Sequence, residues 1–187
     1  MEIKFSPELL SILQYAREEA MRTGNYGIGA DHIVLGMLRH RDNNACRALA
    51  LCGVDADALK TEIDGRIFAE HAVPWHDQAR VLPTRNATAL LSAAAYEALK
   101  HGQHDILSSH FLLALVRSDC CIAEILRGKG LSYEGLYELM RARRFVLPRQ
   151  DTQAALPRVE DLLGPLGEQM TRLFGEAGSG DPARIFS

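Results

Sequence analysis

The 187 residues are 47% apolar and 24% charged, and 21 Lys and Arg against 24 Asp and Glu leave a net charge of −3. Such a chain can build one domain or two small ones with a sizeable core, and it is too short for a complete large ATPase. The charge balance excludes a strongly basic nucleic-acid-coating surface. No run of about 18 apolar residues predicts a membrane span, and no basic start followed by an apolar run predicts a signal peptide. We therefore expect a cytoplasmic protein that binds neither nucleic acid nor membrane.

The four cysteines favour reduced thiols. Cys46 and Cys52 fall on different faces of a stretch that reads as helix, and Cys120 and Cys121 are adjacent. None has the C-x-x-C spacing of a zinc or redox motif. We expect small apolar fillers, with no metal and no cofactor, and a metal or redox role is the alternative.

The first predicted helix begins after Ser6, a typical N-cap, with proline at the first helical position and an acid in the first turn. Gly24 ends it. Glu18 and Glu19 are expected on its solvated face. The opposite face is a helical stripe of apolar and small residues: Leu9, Leu13, Ala16 and Ala20.

Three further helices complete this unit. The second covers residues 33–38 and is apolar almost all round, so we expect it at the buried centre. The third ends at Gly53, and the fourth begins after the N-cap candidate Asp55. Residues 67–81 read as a linker, with Trp75 expected to be held against the surface of the core.

The same pattern then occurs a second time. The string L-x-x-A-x-x-E-A-x-x-x-G begins at Leu13 and again 78 residues later at Leu91, and the offset becomes 77 where Gly53 pairs with Gly130. The duplication covers about residues 5–66 and 82–144. The second copy has its N-cap candidates at Thr84 and Ser132.

These patterns predict an all-α fold of two tandem four-helix repeats within residues 1–144, packed with pseudo-twofold symmetry. Each half alone, at about 60 residues, would bury too little surface to be stable. Residues 145–187 contain prolines and glycines and read as a linker and tail, in which only 159–174 is amphipathic enough for a helix.

Two helical repeats that meet at a pseudo-dyad leave a shallow groove in which a partner segment can lodge. Burial in the core is an equally good interpretation of the residues we expect there, which are Phe5, Leu9, Ile12, Leu82 and Leu90.

Histidines and serines raise the alternative of a metal site or a small hydrolase. His32 and His110 occupy equivalent positions in the apolar helices, where we expect core rings bonded to backbone. His101 and His104 follow a helix C-terminus, and we expect them to be solvated because further zinc ligands are missing nearby. Ser108 is better explained as an N-cap than as a nucleophile.

Residues 24–38 carry the most specific motif. Their sequence, G-N-Y-G-I-G-A-D-H-I-V-L-G-M-L, resembles the G-x-x-x-I/V-G-T-E-H-I/L-L-L-G-L signature of the Clp amino-terminal domain. The upstream A-R-E-E-A at 16–20 matches as well, most closely the ClpC type, whereas the second copy at 102–116 is looser. The resemblance covers about residues 5–144.

This resemblance implies a double-repeat helical module that receives protein substrates or an adaptor protein for an ATP-driven Clp unfoldase and protease. The sequence has no G-x-x-x-x-G-K-[ST] phosphate loop, so we expect no enzymatic activity from it. Two hypotheses follow: the chain is the leading part of an unfoldase, or a free-standing accessory protein that binds the Clp protease or unfoldase.

Asp31 stands where the signature has glutamate. In some ClpC-type members, the resemblance implies, this acid holds the guanidinium of phosphorylated arginine while backbone amides and hydroxyls take the phosphate. Here Ala30 replaces the threonine, which we expect to remove an N-cap, and Ser109 replaces the acid in the second repeat. The alternative is that Asp31 only complements the helix dipole.

Overall fold

The computed structural model describes residues 2–147 and 157–175. The first repeat consists of β1 (Lys4–Phe5), α1 (Pro7–Arg22), β2 (Gly27–Ile28), α2 (Ala30–His40), α3 (Asn44–Leu51) and α4 (Ala56–Ile67). After a 3-10 helix, the second repeat consists of β3 (Leu82–Pro83), α5 (Arg85–Lys100), β4 (Asp105–Ile106), α6 (Ser108–Arg117), α7 (Cys121–Gly128) and α8 (Tyr133–Ala142). The last described helix is α9 (Val159–Phe174).

Four helices begin where the sequence predicts, whereas α2 begins at Ala30 and α6 at Ser108, three residues before the predicted apolar segments. Four predicted N-caps accept a hydrogen bond from the backbone N–H three residues on: Ser6, Asp55, Thr84 and Ser132. Ser108 is different, because it is the first residue of α6 and Leu107 is the N-cap. The helix start is fixed there by His110, whose Nδ1 accepts the Leu107 N–H at 3.0 Å. The predicted tail helix is present as α9.

The all-α fold class is confirmed, with four two-residue strands that the sequence did not predict. β1 pairs in parallel with β4, and β2 pairs in parallel with β3. The strand that enters each repeat therefore pairs with the loop between the first two helices of the other repeat. This exchange is symmetric and holds the two halves together across the pseudo-dyad.

The core surrounds α2 and α6, in which residues 32–38 and 108–116 are buried throughout. α1 packs on α2, and α5 packs on α6. Gly36 allows the first of these pairs to approach closely, because a Cβ there would lie 2.5 Å from the Ile12 carbonyl oxygen. The predicted buried centre of each repeat is confirmed.

The glutamate of the repeated string is buried in both copies, which corrects the expected solvated position of Glu19. Arg22 lies 2.7 Å and Arg39 3.4 Å from the Glu19 carboxylate. In the second repeat Lys100 and Arg117 lie near the buried Glu97 carboxylate in the same way, at 2.9 Å and 3.7 Å. The acid can be buried because the same two cationic positions neutralise it in each repeat.

The connection between the repeats follows α1 closely. The Ala69 N–H donates to the Thr23 carbonyl and the Val73 N–H to the Met21 carbonyl. Trp75 starts the 3-10 helix Trp75–Arg80 and is 70% exposed. The expectation that this ring is held against the core is therefore wrong. Within the described residues, every helix is too short or too polar to cross a lipid bilayer.

Candidate functional site

The expected groove residues divide into core and surface. Phe5, Leu9 and Ile12 are 3%, 0% and 0% exposed, so the core interpretation is the correct one for these three. Leu9 and Ile12 lie on α1, which packs mainly on α2, and Phe5 lies in β1, which pairs with β4 of the other repeat. Leu82 is half-buried, and Leu90, although buried, lines an open cleft.

That cleft measures about 1040 Å³ and lies along α5. Its wall includes cationic side chains from Arg85, Lys100 and Arg117, of which the last two approach the buried Glu97. Apolar wall residues come from both repeats and from the tail helix: Ala30, Ala89, Leu90, Ala93, Ala114 and Leu163.

Beside the cleft, α9 lies over the place where the repeats meet. We call this place the seam and define it by β1, Arg17 of α1, Val81 and α5. The Gln169 side chain is hydrogen-bonded to the backbone of Phe5 in β1 and of Ile3 just before it, and the Tyr96 hydroxyl of α5 donates to the Pro157 carbonyl. Arg17 donates to the carbonyls of both Val81 and Phe174. α9 therefore packs on β1 of the first repeat and on α5 of the second, at the place where the sequence analysis expected a groove.

Asp31 is the second residue of α2 and is half-buried. Burial raises the pKa of its carboxyl, and the positive charge of Arg66 opposes that shift. Among residues 2–147 and 157–175 it has no ion-pair partner within 4.0 Å. We expected Ala30 to remove an N-cap, and this expectation is wrong. The N-cap is Gly29, and its N–H donates to Nδ1 of His32.

The equivalent position in the second repeat is buried and carries no carboxylate. Ser109 is buried, and its hydroxyl donates to the Phe145 carbonyl at 2.9 Å. The first repeat alone therefore presents a carboxylate at this point of the fold.

His32 and His110 are core histidines, as predicted. Each Nδ1 accepts a backbone N–H, and Nε2 lies 3.1 Å from Thr23 Oγ1 in the first repeat and 3.0 Å from Gln103 Oε1 in the second. Burial lowers the pKa of His32 to about 4 and that of His110 to about 3. Both rings are neutral at physiological pH, and their nitrogens are occupied by structural partners.

His101 corrects another expectation. Its ring is fully buried and stacks between His110, at 5.8 Å between ring centroids, and Tyr137, at 5.4 Å. It is therefore part of the core and not a solvated group beyond a helix end. In the part of the chain that the structure describes, no three His, Cys, Asp or Glu side chains are placed to hold a metal ion.

The chain matches the family model described as the Clp repeat (R) N-terminal domain over residues 4–129. The chain belongs to this family. It is 28% identical over 145 residues to the negative regulator of genetic competence ClpC/MecB of Bacillus subtilis, and equally so to the chaperone protein ClpB of Oceanobacillus iheyensis. Each match covers 77% of this chain and 17% of the relative, so the chain spans about one sixth of those proteins' length.

A solved structure supports the same assignment of fold. The Hsp104 N-terminal domain of Candida albicans superimposes with a TM-score of 0.62 at 16% identity, covering 81% of this chain and 97% of that one. Residues 4–129 of the chain are thus a Clp N-domain, and the chain is related to ClpC and ClpB proteins.

Two residues important at the seam were missed by the sequence analysis. Gln169 lies in a predicted helix, but nothing in the sequence indicates what its amide contacts. Arg17 carries a signal that was available, since its equivalent 78 residues later is Ala95. A position where two otherwise matching repeats differ in charge marks a place where their symmetry is broken.

Proposed function

We propose that this Clp N-domain is a non-catalytic protein-binding module of a ClpC-type ATP-dependent unfoldase and protease system, which it supplies with substrates or adaptor proteins. Family membership supports the general role. The observation that carries the proposal is the pairing of an open cleft of about 1040 Å³ with a neighbouring seam that already holds a helix. The cleft suits a protein segment rather than a small reactant, because its wall is mainly apolar and lies along the face of a helix.

Binding of an unfolded client by the full chain tests this role. We expect fluorescein-labelled casein to bind saturably in fluorescence anisotropy, with competition from unlabelled casein. Absence of saturable binding at any protein concentration below the millimolar range would refute the proposal. A pull-down with a ClpC-type unfoldase then separates the two modes: an accessory protein is retained by the unfoldase, whereas a domain that only contacts clients is not.

We further propose that Asp31 binds the guanidinium of phosphorylated arginine on marked substrates. Its carboxylate is half-buried at the start of α2 and has no ion-pair partner among the described residues, and burial raises its pKa. A guanidinium would offset this desolvation through two parallel hydrogen bonds, and the N-terminus of α2 favours the phosphate. Because Ser109 is buried and has no carboxylate, we propose this site in the first repeat only.

A titration with free phosphoarginine isolates the role of this carboxylate. We expect Asp31→Ala to weaken binding at least tenfold, a loss typical of a charge-assisted bidentate contact. Asp57→Ala is the matched control, because Asp57 is also the second residue of its helix but is exposed and paired with Arg41 at 2.9 Å. Equal affinities for wild type and Asp31→Ala, or no binding by either, would refute the assignment.

A further inference from the structure

We propose that α9 is a built-in competitor for the seam: it occupies the groove as an internal ligand, and a partner helix that docks there must displace it. The inference deepens the proposed function, since it names a regulation of the binding surface. It stands on three observations. The repeats leave one backbone carbonyl beside β1 without the donor that its equivalent has, α9 buries an apolar face, and α9 has a poor intrinsic helix propensity.

The missing hydrogen-bond donor beside β1 comes from one difference between the repeats. Ile3 and Val81 are equivalent residues that precede the paired strands β1 and β3. The Val81 carbonyl accepts a hydrogen bond from Nε of Arg17 at 3.3 Å. The residue equivalent to Arg17 is Ala95, which has no donor to offer the Ile3 carbonyl. That carbonyl needs a donor from elsewhere, because an unpaired buried backbone group is costly.

Gln169 of α9 supplies this donor. Its Nε2 donates to the Ile3 carbonyl at 3.0 Å, and its Oε1 accepts the Phe5 N–H at 2.8 Å. One side-chain amide thus pairs with one backbone N–H and one carbonyl on the free edge of β1, as a residue of a neighbouring strand would. The equivalent edge of β3 cannot be recognised in this way, because Pro83 stands in the place of Phe5 and has no N–H.

The apolar side of α9 completes the fit. Leu162, Leu166 and Phe174 are buried, and the Arg17 guanidinium lies 4.9 Å from the centre of the Phe174 ring. Glu168 and Arg172 remain exposed on the other side. The occupant of the seam is therefore defined chemically: an amphipathic helix with two leucines one turn apart and a side-chain amide three residues after the second.

α9 depends on the seam for its helical state. Pro165 lies in its interior, between Gly164 and Gly167, and these residue types are the least favourable in helices. A Cβ at either glycine would contact nothing within 4 Å, so packing does not require glycine at these positions. An undocked α9 is thus a poor helix, and a partner helix with ordinary residues at these positions competes well against it.

The tethered helix still has an advantage over a free one. Because α9 belongs to the same chain, its effective concentration at the seam is on the order of millimolar. An external segment must bind with higher intrinsic affinity, or α9 must be weakened first. Access to the seam is therefore set by the stability of the docked α9.

Two substitutions in the full chain change this stability in opposite directions. The probe is a fluorescein-labelled peptide of residues 157–175, titrated by anisotropy. Gln169→Ala removes both hydrogen bonds to β1, and we expect it to tighten peptide binding about fivefold relative to wild type. Gly167→Ala favours the helical state of the tethered α9, and we expect it to weaken peptide binding about fivefold. Glu168→Ala is the matched control and should leave the affinity unchanged.

Leu166→Asp should undock α9 from the seam more completely than Gln169→Ala. Circular dichroism checks that the two repeats of this variant remain folded. Equal peptide affinities in wild type, Gln169→Ala and Gly167→Ala would overturn the proposal. So would a folded Leu166→Asp variant that fails to bind the peptide. Labelled casein, measured in parallel, separates the two claims. Peptide binding without casein binding leaves the internal competitor in place and refutes the client role, whereas casein binding that no α9 substitution alters refutes the competitor alone.

Discussion

Gly36 offers the sharpest test of how the first repeat is packed. It lies in the middle of α2, where an added Cβ would be 2.5 Å from the Ile12 carbonyl oxygen and 2.8 Å from the Ala16 backbone nitrogen. Both atoms belong to the backbone of α1, so no side-chain rotation can relieve the overlap. Gly36→Ala gains about 1 kcal/mol of helix propensity, but separating two packed helices costs about 1–3 kcal/mol and sometimes more. The difference between these two effects is a net destabilisation of up to about 2 kcal/mol.

Urea unfolding followed by circular dichroism measures this change. Gly65→Ala is the matched control, since Gly65 lies inside α4 and a Cβ there meets nothing within 4 Å. We expect the control to be neutral or stabilising by up to about 1 kcal/mol. The second repeat carries Ala114 at the position equivalent to Gly36. If Gly36→Ala left the stability unchanged, α1 and α2 would need no closer approach than α5 and α6. A stabilised Gly36→Ala would refute the close approach of α1 and α2.

Two further predictions concern buried polar groups. The pKa of His32 is about 4 and that of His110 about 3, so below pH 6.5 the unfolded chain binds protons that the folded chain excludes. The free energy of unfolding should fall by about 1.6 kcal/mol per histidine between pH 6.5 and pH 5. His110→Gln should remove about half of the total loss, and an unchanged loss would contradict the assignment. The Glu8 carboxylate accepts the N–H of Ser108 at 3.0 Å and that of Asn44 at 3.4 Å. Glu8→Gln should cost about 1 kcal/mol in urea unfolding, against no change for the exposed pair member Glu138→Gln, and equal effects would contradict a bridging role.

The helices were predictable because their signals are local. Caps such as Ser6 and Asp55 satisfy the first backbone N–H groups, and an apolar stripe at helical spacing shows that one face is buried. The internal duplication supplied a second, independent copy of each signal. The tail helix was visible for the same reason, since residues 159–174 are amphipathic.

The seam was less predictable because it depends on which faces meet. The stripe of α1 indicates burial but not the identity of its neighbour, which is why Leu9 and Ile12 were as easily placed in a groove as in the core. Two-residue strands such as β1 are too short to show alternation. The buried Glu19 and His101 are polar residues that only tertiary partners make tolerable, and no local pattern reports such partners. The role of Gln169 can be recognised only when α9 is seen packed against β1.

The most direct measurement of the proposed function uses a ClpC-type unfoldase whose own N-terminal domain has been replaced by this chain. With its protease partner and ATP, this chimera should degrade arginine-phosphorylated casein faster than the same unfoldase without any N-terminal domain. The Asp31→Ala chimera should lose that gain, and the Asp57→Ala chimera should keep it. A chimera that degrades the substrate no faster than the enzyme without an N-terminal domain would contradict the role of this chain in receiving substrates.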